Sequence, residues 1–581
     1  LQQTCAAAGV TEFTDGGTRA GHICEGVRLQ AAEAILKKGV PTMNTVMPPR
    51  PDFTDPDGCL AWLVGLNPTN AGEAHATLAG MLAALLEVPP APLRHLEIVE
   101  QARPALDFVQ NRFAQRYASR PLPPVSQEDE TLRVVLNLWQ LMLRSYALIA
   151  QRSALDPGFL DRRPLLAQRR LHYHGALILE YYRARRETPP GIWAELHRLY
   201  SAAEEWNVAK VRIAEPLNET WHAQSCTEAY LAVLLVEAAN PYGRTPREFA
   251  WILNWAQRFA PHCSLHKDIN PEARSGYVLD LARDFALRPQ GDIEITSSLR
   301  RVDNRRLAAH IQAIIAQFKN GATPASLGLG DDCVQPACAR LLISLYRPWG
   351  LSSAGRRFPR RATQGTMQIA SDLPSIGYYI ADTPFAQPPK MRSGTFRDTQ
   401  SVYTIGEQVE KAPPSDAEIY SRAALLGMIL EHWNIIDQSV SGFRIVRDGS
   451  GSRIDHRQLV AVRPADGESF LLAEICWLMY RFDGRLFAGI ALMPGLPQVV
   501  AARIRNHSGT GLNENYHQAF LLPEIEALRA HPSLVVPAGW YTAGRELDIC
   551  ANGEKDFQVK LQNLIARGIN FDRVGFLLLE S

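Results

Sequence analysis

No apolar run in this chain is long enough to span a bilayer, and no secretory signal peptide opens it. A cytoplasmic protein without membrane insertion is therefore expected. Net charge is almost absent: 61 lysines and arginines face 60 aspartates and glutamates, leaving +1. That balance gives no global pull toward a nucleic acid polymer or a lipid surface. Lysine is scarce, so the positive charge is nearly all arginine, the residue that pairs bidentately with phosphate and stacks on planar groups. The nine cysteines (Cys5, Cys24, Cys59, Cys226, Cys263, Cys333, Cys338, Cys476 and Cys550) are odd in number and form no framework. A reduced compartment is the simpler reading.

Motifs of catalysis are missing too. There is no Gly-x-Ser-x-Gly elbow and no His-Glu-x-x-His. Gly328-x-Gly330 comes after no strand and lacks the Gly-Lys-Ser/Thr completion of a phosphate loop. His262-Cys263-x-x-His266 has no partner cluster to complete a zinc site. Cys333 and Cys338 read as small buried side chains. His172 and His174, on an apolar helix, read as satisfied core histidines. A protein that is not an enzyme, and holds neither metal nor cofactor, is expected.

What is present is a long globular chain. Its 581 residues exceed one ordinary core, so two or more domains are expected. Residues 1–50 differ in composition from the rest of the chain and read either as a disordered tail or as a spurious extension preceding Met43 or Met47. Helical periodicity then dominates. Asn70 with Glu73, Ser126 with Asp129, and Thr245-Pro246 with Glu248 mark helix starts. The segment Leu132–Ile149 is apolar almost all round, so it belongs at the centre of the bundle. Roughly eight to ten helices are expected, with a short strand near Ile293-Glu294-Ile295.

Past Trp349-Gly350 the character changes. An arginine-rich linker, Ser352–Arg361, leads into a strand at Thr363–Ala370. A proline-rich loop comes next, then a helix capped by Ser415 and Glu418 and running through Leu430. After it the period becomes two. Strands are expected at 433–437, 442–447, 457–463, 469–481 and 486–493, split by Asp-Gly turns. Hairpins at this spacing suggest a small antiparallel barrel. Further strands are expected at Ser533–Val536, Arg545–Cys550, Asp556–Lys560 and Arg573–Leu579.

Two pieces of this region carry chemistry. Arg356-Arg357-Phe358-Pro359-Arg360 places guanidinium groups four residues apart, suited to phosphates and purine faces. Asp437-x-Ser439-x-x-Gly442 offers a carboxylate for the donor edge of a guanine, a hydroxyl, and a backbone on which a ring can pack. Each motif alone is a common composition; their order makes the pair more specific.

At these residues the chain resembles the PilZ domain family, whose members bind cyclic di-GMP on a small β-barrel. The family pattern is Arg-x-x-x-Arg and then Asp/Asn-x-Ser-x-x-Gly. Arg356 and Arg360 match the first, and Asp437, Ser439 and Gly442 match the second. Gln458–Arg463, Ile475–Leu478 and Ala488–Ile490 resemble the family's later strands. Leu327–Cys338 and the segment from Ser533 resemble large proteobacterial proteins with a helical region before a PilZ-like one.

The resemblance implies an α+β multidomain protein. An all-α helical bundle over 51–348 precedes a PilZ-like antiparallel β-barrel over 349–502, and a β-rich C-terminal tail occupies 503–581. It implies a cyclic di-GMP receptor with ligand at Arg356, Arg357, Arg360, Asp437, Ser439 and Gly442, coupled to the helical domain and to a protein partner. The departure is an insertion at about 373–430, which sets Arg360 and Asp437 77 positions apart. Were it to fill the ligand face, the alternative would hold: a degenerate barrel serving as a protein-binding scaffold.

Overall fold

The computed structural model describes residues 53–579 except 54, 119, 270–275, 291–294, 352–359, 389–414, 506–514 and 552–554. The segment expected to be a tail or extension, 1–50, falls outside the described residues.

The helical region runs through α1 (Pro56–Gly65), α2 (Ala71–Glu87), α3 (Pro92–Ala114), α4 (Ser126–Arg152), α5 (Arg163–Arg183), α6 (Ile192–Glu205), α7 (Cys226–Ala238), α8 (Pro246–Phe259), α9 (Arg305–Lys319) and α10 (Ala337–Leu345). Helix α4 is central. It packs against α2, α3 and α5 and buries Val135, Leu138, Met142, Tyr146 and Ile149 among others. Its start differs by one residue from expectation. Val125 is the N-cap, and the Glu128 carboxylate accepts from the Val125 N–H at 3.0 Å. Asp129 is drawn away instead to Arg186, at 2.6 Å. The Thr245 box forms as read: the Glu248 N–H donates to the Thr245 hydroxyl, and the Glu248 carboxylate accepts from the Thr245 N–H.

A charged network lies inside this apolar region. Glu215, 1% exposed, accepts from Arg103 Nη2 through both oxygens at 2.7 Å and from Arg169 Nη1 at 2.7 Å. Arg169 also clasps Glu100 at 2.8 and 2.9 Å, and the Tyr146 hydroxyl donates to Glu100 at 2.6 Å. Burial alone would raise the Glu215 carboxyl, but the neighbouring positive charge outweighs it and holds the group at about 2.

The structure adds three features to the helical reading. A four-stranded antiparallel sheet, in the order Ser264–His266, Leu299–Asp303, Tyr277–Asp280, Arg288–Pro289, packs within the region. Ile293 and Glu294, where a strand was expected, lie outside the described residues. Cys333 and Cys338 are not free thiols: they form a disulfide, their Cα atoms brought to 5.6 Å by the turn preceding α10. This departs from the reduced reading of the cysteines. Last, Trp349 is buried where the region ends, its Nε1 donating to Leu235 O at 2.7 Å. Among the described residues no helix is long and apolar enough to cross a membrane.

Two closed six-stranded antiparallel barrels complete the chain. The first contains β1 (Arg361–Ala370), β2 (Glu431–Ser439), β3 (Gly442–Asp448), β4 (Leu459–Pro464), β5 (Leu471–Tyr480) and β6 (Arg485–Leu492), in the order β4-β5-β6-β3-β2-β1. Alternate residues fill its interior: Met367, Ile369, Trp433, Ile435, Ile445, Val460, Val462 and Leu478. The second contains β7 (Gln498–Ile504), β8 (His517–Leu522), β9 (Ser533–Pro537), β10 (Glu546–Ala551), β11 (Lys555–Arg567) and β12 (Phe571–Leu579). The expected β-rich tail is thus a barrel of its own. Strands β7 and β8 were not foreseen, and β7 runs across the expected boundary at 502–503.

The insertion supplies α11 (Leu373–Ala381) and α12 (Asp416–Leu425). The Ser415–Glu418 box caps α12 as expected. The helix stops short of Leu430 because Gly427 turns at φ 70°, letting the Met428 N–H bond back to Ala423 O. Ile376, Tyr378, Tyr379 and Ala423 pack between Leu459 and Leu472 of the first barrel and Phe520, Val535 and Phe571 of the second.

Helices and first barrel are joined by backbone pairing. Leu122 and Ile454 exchange hydrogen bonds at 2.9 and 2.7 Å, and the Leu122 side chain, 4% exposed, enters the barrel's apolar interior. Tyr480 pairs likewise with Arg185 and Glu187, both at 3.0 Å. Arg453 reaches Glu128 at 2.7 Å and Arg481 reaches Glu187 at 2.8 Å.

Two stability measurements probe these contacts. Glu215→Gln leaves two buried guanidiniums short of charge and should cost about 3–5 kcal/mol in urea unfolding. Because the folded carboxyl titrates near 2, that contribution is present above the ordinary carboxylate range and is lost as pH falls toward 2. Leu122→Ala empties part of the barrel interior and should cost about 2–5 kcal/mol. Proteolysis should then release the barrel from the helices sooner than in the parent chain.

Candidate functional site

The Asp-x-Ser-x-x-Gly stretch forms a two-residue hairpin, with Val440 and Ser441 at its tip and Ser439 opposite Gly442. Trp433 and Ile435 point into the barrel. Simple alternation would point Asp437 inward as well. It does not, because β2 carries a bulge: Ile435 pairs with Ile445, but Asp437 pairs with Arg444. The extra residue turns the carboxylate to the outer face. A second bulge, in β1 between Ala362 and Gly365, sets Ala362 opposite Asp437. A third lies in β5 between Ile475 and Trp477, so that Trp477 faces Gly489, itself opposite Arg444. All three bulges fall on one outward row: Ala362, Asp437, Arg444, Gly489, Trp477.

Charges converge on this row. Arg360 Nη1 donates to Asp437 Oδ1 at 2.7 Å. Arg444 Nη1 lies 3.8 Å from Asp437 Oδ2, and its Nε is buried with no acceptor among the described residues. Asp437 is 16% exposed and Arg360 25%. At the far end, a Cβ on Gly489 would come within 1.9 Å of Trp477 Nε1, so the indole lies across the glycine. Beside the row, Phe487 is surrounded by Arg444, Arg481 and Arg485, with guanidinium carbons 5.2–5.9 Å from its ring centre.

Of the residues singled out in the sequence, Arg360 and Asp437 are in contact, and Ser439 and Gly442 close the same hairpin. Arg356 and Arg357 lie outside the described residues. The Ser439 hydroxyl donates to Gly442 O at 3.2 Å. Gly442 has a different reason for being glycine than the one expected. A Cβ there would lie 2.0 Å from Ile490 O, so the position serves the pairing of β3 with β6 and not the packing of a ring. The described part of the insertion, α11 and α12, sits between the two barrels and does not separate Arg360 from Asp437.

Arg444 and Trp477 were missed. Arg444 was visible as the outward residue two after Gly442, but its facing Asp437 depends on a bulge that no local sequence signal marks. The other motifs settle into local roles: His174 Nε2 lies 2.7 Å from Ile192 O, His262 stacks on His310, and Ser264 contacts His266 at 2.8 Å.

A carboxylate between two guanidiniums, with an indole further along the face, suits a planar ligand that carries both hydrogen-bond donors and negative charge. The Arg360–Asp437 pair is partly solvated, so it is worth on the order of 1 kcal/mol or less.

Comparison with known proteins bears on that ligand. Residues 57–272 match the family model for the N-terminal domain of the cyclic-di-GMP receptor FimW, and residues 500–579 match that for the FimW C-terminal β-barrel domain. The cyclic-di-GMP receptor FimW of Pseudomonas aeruginosa is 22% identical over 571 residues, spanning 90% of each chain. The chain is similar to a cyclic-di-GMP receptor along most of its length. The two FimW models flank the first barrel, and the candidate site lies between the stretches they match.

Substitution at the hairpin separates its parts. Gly442→Ala forces β3 off β6 and should cost at least about 2 kcal/mol of stability. Ser439→Ala removes one local hydrogen bond and should cost about 1 kcal/mol or less. Thermal unfolding of both variants checks the order.

Proposed function

We propose that the chain is a non-catalytic receptor for cyclic di-GMP and that the first barrel is a PilZ-like module holding the ligand on the bulged row. The observation that carries this reading is the direct contact of Arg360 with Asp437 across the 77-residue separation. The insertion was the feature most able to spoil the site, and its described part packs elsewhere. Similarity to a FimW receptor at both ends of the chain supports the same reading.

In this mechanism Asp437 changes partners. It gives up Arg360 and accepts from the N1–H and 2-amino edge of a guanine. Arg360, released, turns to the phosphates with Arg356 and Arg357 of the same linker. Arg444, its side chain 41% exposed, adds a further guanidinium. Trp477 offers an aromatic face to the second base. The signal is a change in the charge of the linker, since the barrel is already paired with the helices at Leu122 and Tyr480.

Calorimetry with the full chain tests this. Cyclic di-GMP should bind saturably, and Arg360→Ala and Asp437→Ala should each weaken binding by about tenfold or more, the equivalent of one lost charge-assisted contact. No heat at tens of micromolar ligand, or affinity indifferent to both variants, would sink the reading and leave the scaffold alternative.

A further inference from the structure

A cavity of about 750 Å³ lies where the helical region and both barrels meet. The helices contribute Arg185, Arg244 and Arg340 to its wall, the loop before β4 contributes Asp455 and Arg457, and the end of β11 contributes Ile565 and Arg567. None of the residues assigned above to cyclic di-GMP lines it.

This wall is rich in arginine. Five arginines face two carboxylates, Asp455 and Glu248. Glu248 is already engaged by the helix cap, accepting from the Thr245 N–H and hydroxyl at 2.9 Å each. Burial raises the Asp455 carboxyl above its ordinary range, against the pull of Arg185 and Arg453. Glu474 and Asp572 hold Arg457 and Arg567 in position, at 2.9 and 2.7 Å. Arg340 is exposed and has no carboxylate partner among the described residues. Helix α8 begins on the same wall, at Pro246, and α10 runs along it from Ala337 through Arg340 and Leu341 to Ser344.

The backbone gives a second, independent sign. Arg185 and Arg457 both sit at positive φ, 52° and 63°. This left-handed conformation disfavours any residue with a Cβ, and at the end of a helix such as α5 it is ordinarily given to glycine. Two arginines of the cavity wall thus stand where glycine is the ordinary choice. Packing alone accounts for the bonds from Arg185 to Arg244 O and from Arg457 to Glu474. It does not account for a nucleotide-sized space left between them, nor for the exposed guanidinium of Arg340 on its wall.

We propose that this cavity is a second binding site, for a phosphate-bearing ligand of nucleotide size, distinct from the Arg360–Asp437 face. Its volume falls within the range of small-molecule sites. Arginine forks and helix N-termini are the groups that hold phosphate. An occupant would touch all three modules at once and stabilise their docking, by an amount that grows with the logarithm of its concentration.

Calorimetry and thermal unfolding of the full chain, with sodium pyrophosphate and separately with GTP as probes, test the site. Saturable binding and a raised melting temperature are expected with at least one probe. Arg340→Glu, at an exposed position, should weaken binding by about tenfold while leaving the melting temperature of the free protein unchanged. Ile565→Trp, which fills the cavity without altering charge, should weaken it as well. Arg360→Ala should leave it intact. No saturable binding of either probe at about 10 mM overturns the proposal. So does a change below about threefold in Arg340→Glu, or a loss caused by Arg360→Ala, which would place the anion on the barrel face.

Discussion

The bridge between Leu122 and Ile454 exchanges backbone hydrogen bonds in both directions and carries a leucine side chain into the interior of the first barrel. A second bridge, between the Arg185–Glu187 turn and Tyr480, does the same without the side chain. Together they make the helical region part of the barrel's construction. Swinging the barrel away would break four backbone hydrogen bonds and expose Leu122. This construction disfavours hinge motion between helices and barrel. Its movable parts are those that pair weakly, and the Arg360–Asp437 contact, partly solvated and carried by a single guanidinium nitrogen, is of that kind.

The site itself is a product of irregularity. A regular six-stranded barrel would turn Asp437 toward Trp433 and Ile435, where an unpaired carboxylate could not be kept charged. Three bulges, in β1, β2 and β5, instead gather Asp437, Arg444 and Trp477 on one outward row. Such bulges disrupt pairing locally, and barrels keep them where a side chain must be re-aimed. Gly442 and Gly489 belong to the same economy: one admits the Ile490 carbonyl, the other the Trp477 ring.

That dependence explains what was legible in the sequence. Helix starts at Thr245 and Ser415 were readable because a capping box is a local agreement between two side chains and two N–H groups. The strands of the first barrel were readable because alternation is local too. Closure of the second barrel was not, since it rests on β7 pairing with β10 across some fifty residues. The placing of Asp437 opposite Arg444 was equally hidden, because a bulge shifts register without leaving a composition signal. The Cys333–Cys338 disulfide escaped because its five-residue spacing resembles no framework, and only the turn before α10 brings the pair together.

The insertion that divides the two halves of the candidate site in sequence is what unites the two barrels in space. Helices α11 and α12 give Ile376, Tyr378 and Ala423 to an apolar layer shared with Leu459 and Leu472 on one side and Phe520 and Phe571 on the other. Gln518 of the second barrel donates to Leu373 O at 2.6 Å, and Asn570 accepts from the Leu459 N–H at 2.9 Å. A β-barrel has no free edge to extend, so a second barrel cannot be added by strand pairing. An amphipathic wedge is the alternative, and an insertion between β1 and β2 supplies it while leaving Arg360 and Asp437 in contact. The junction cavity is then a geometric consequence: two convex barrels and a helical bundle, each closed on itself, meet at three faces and leave a space at their common corner, and the chain has lined that space with arginine.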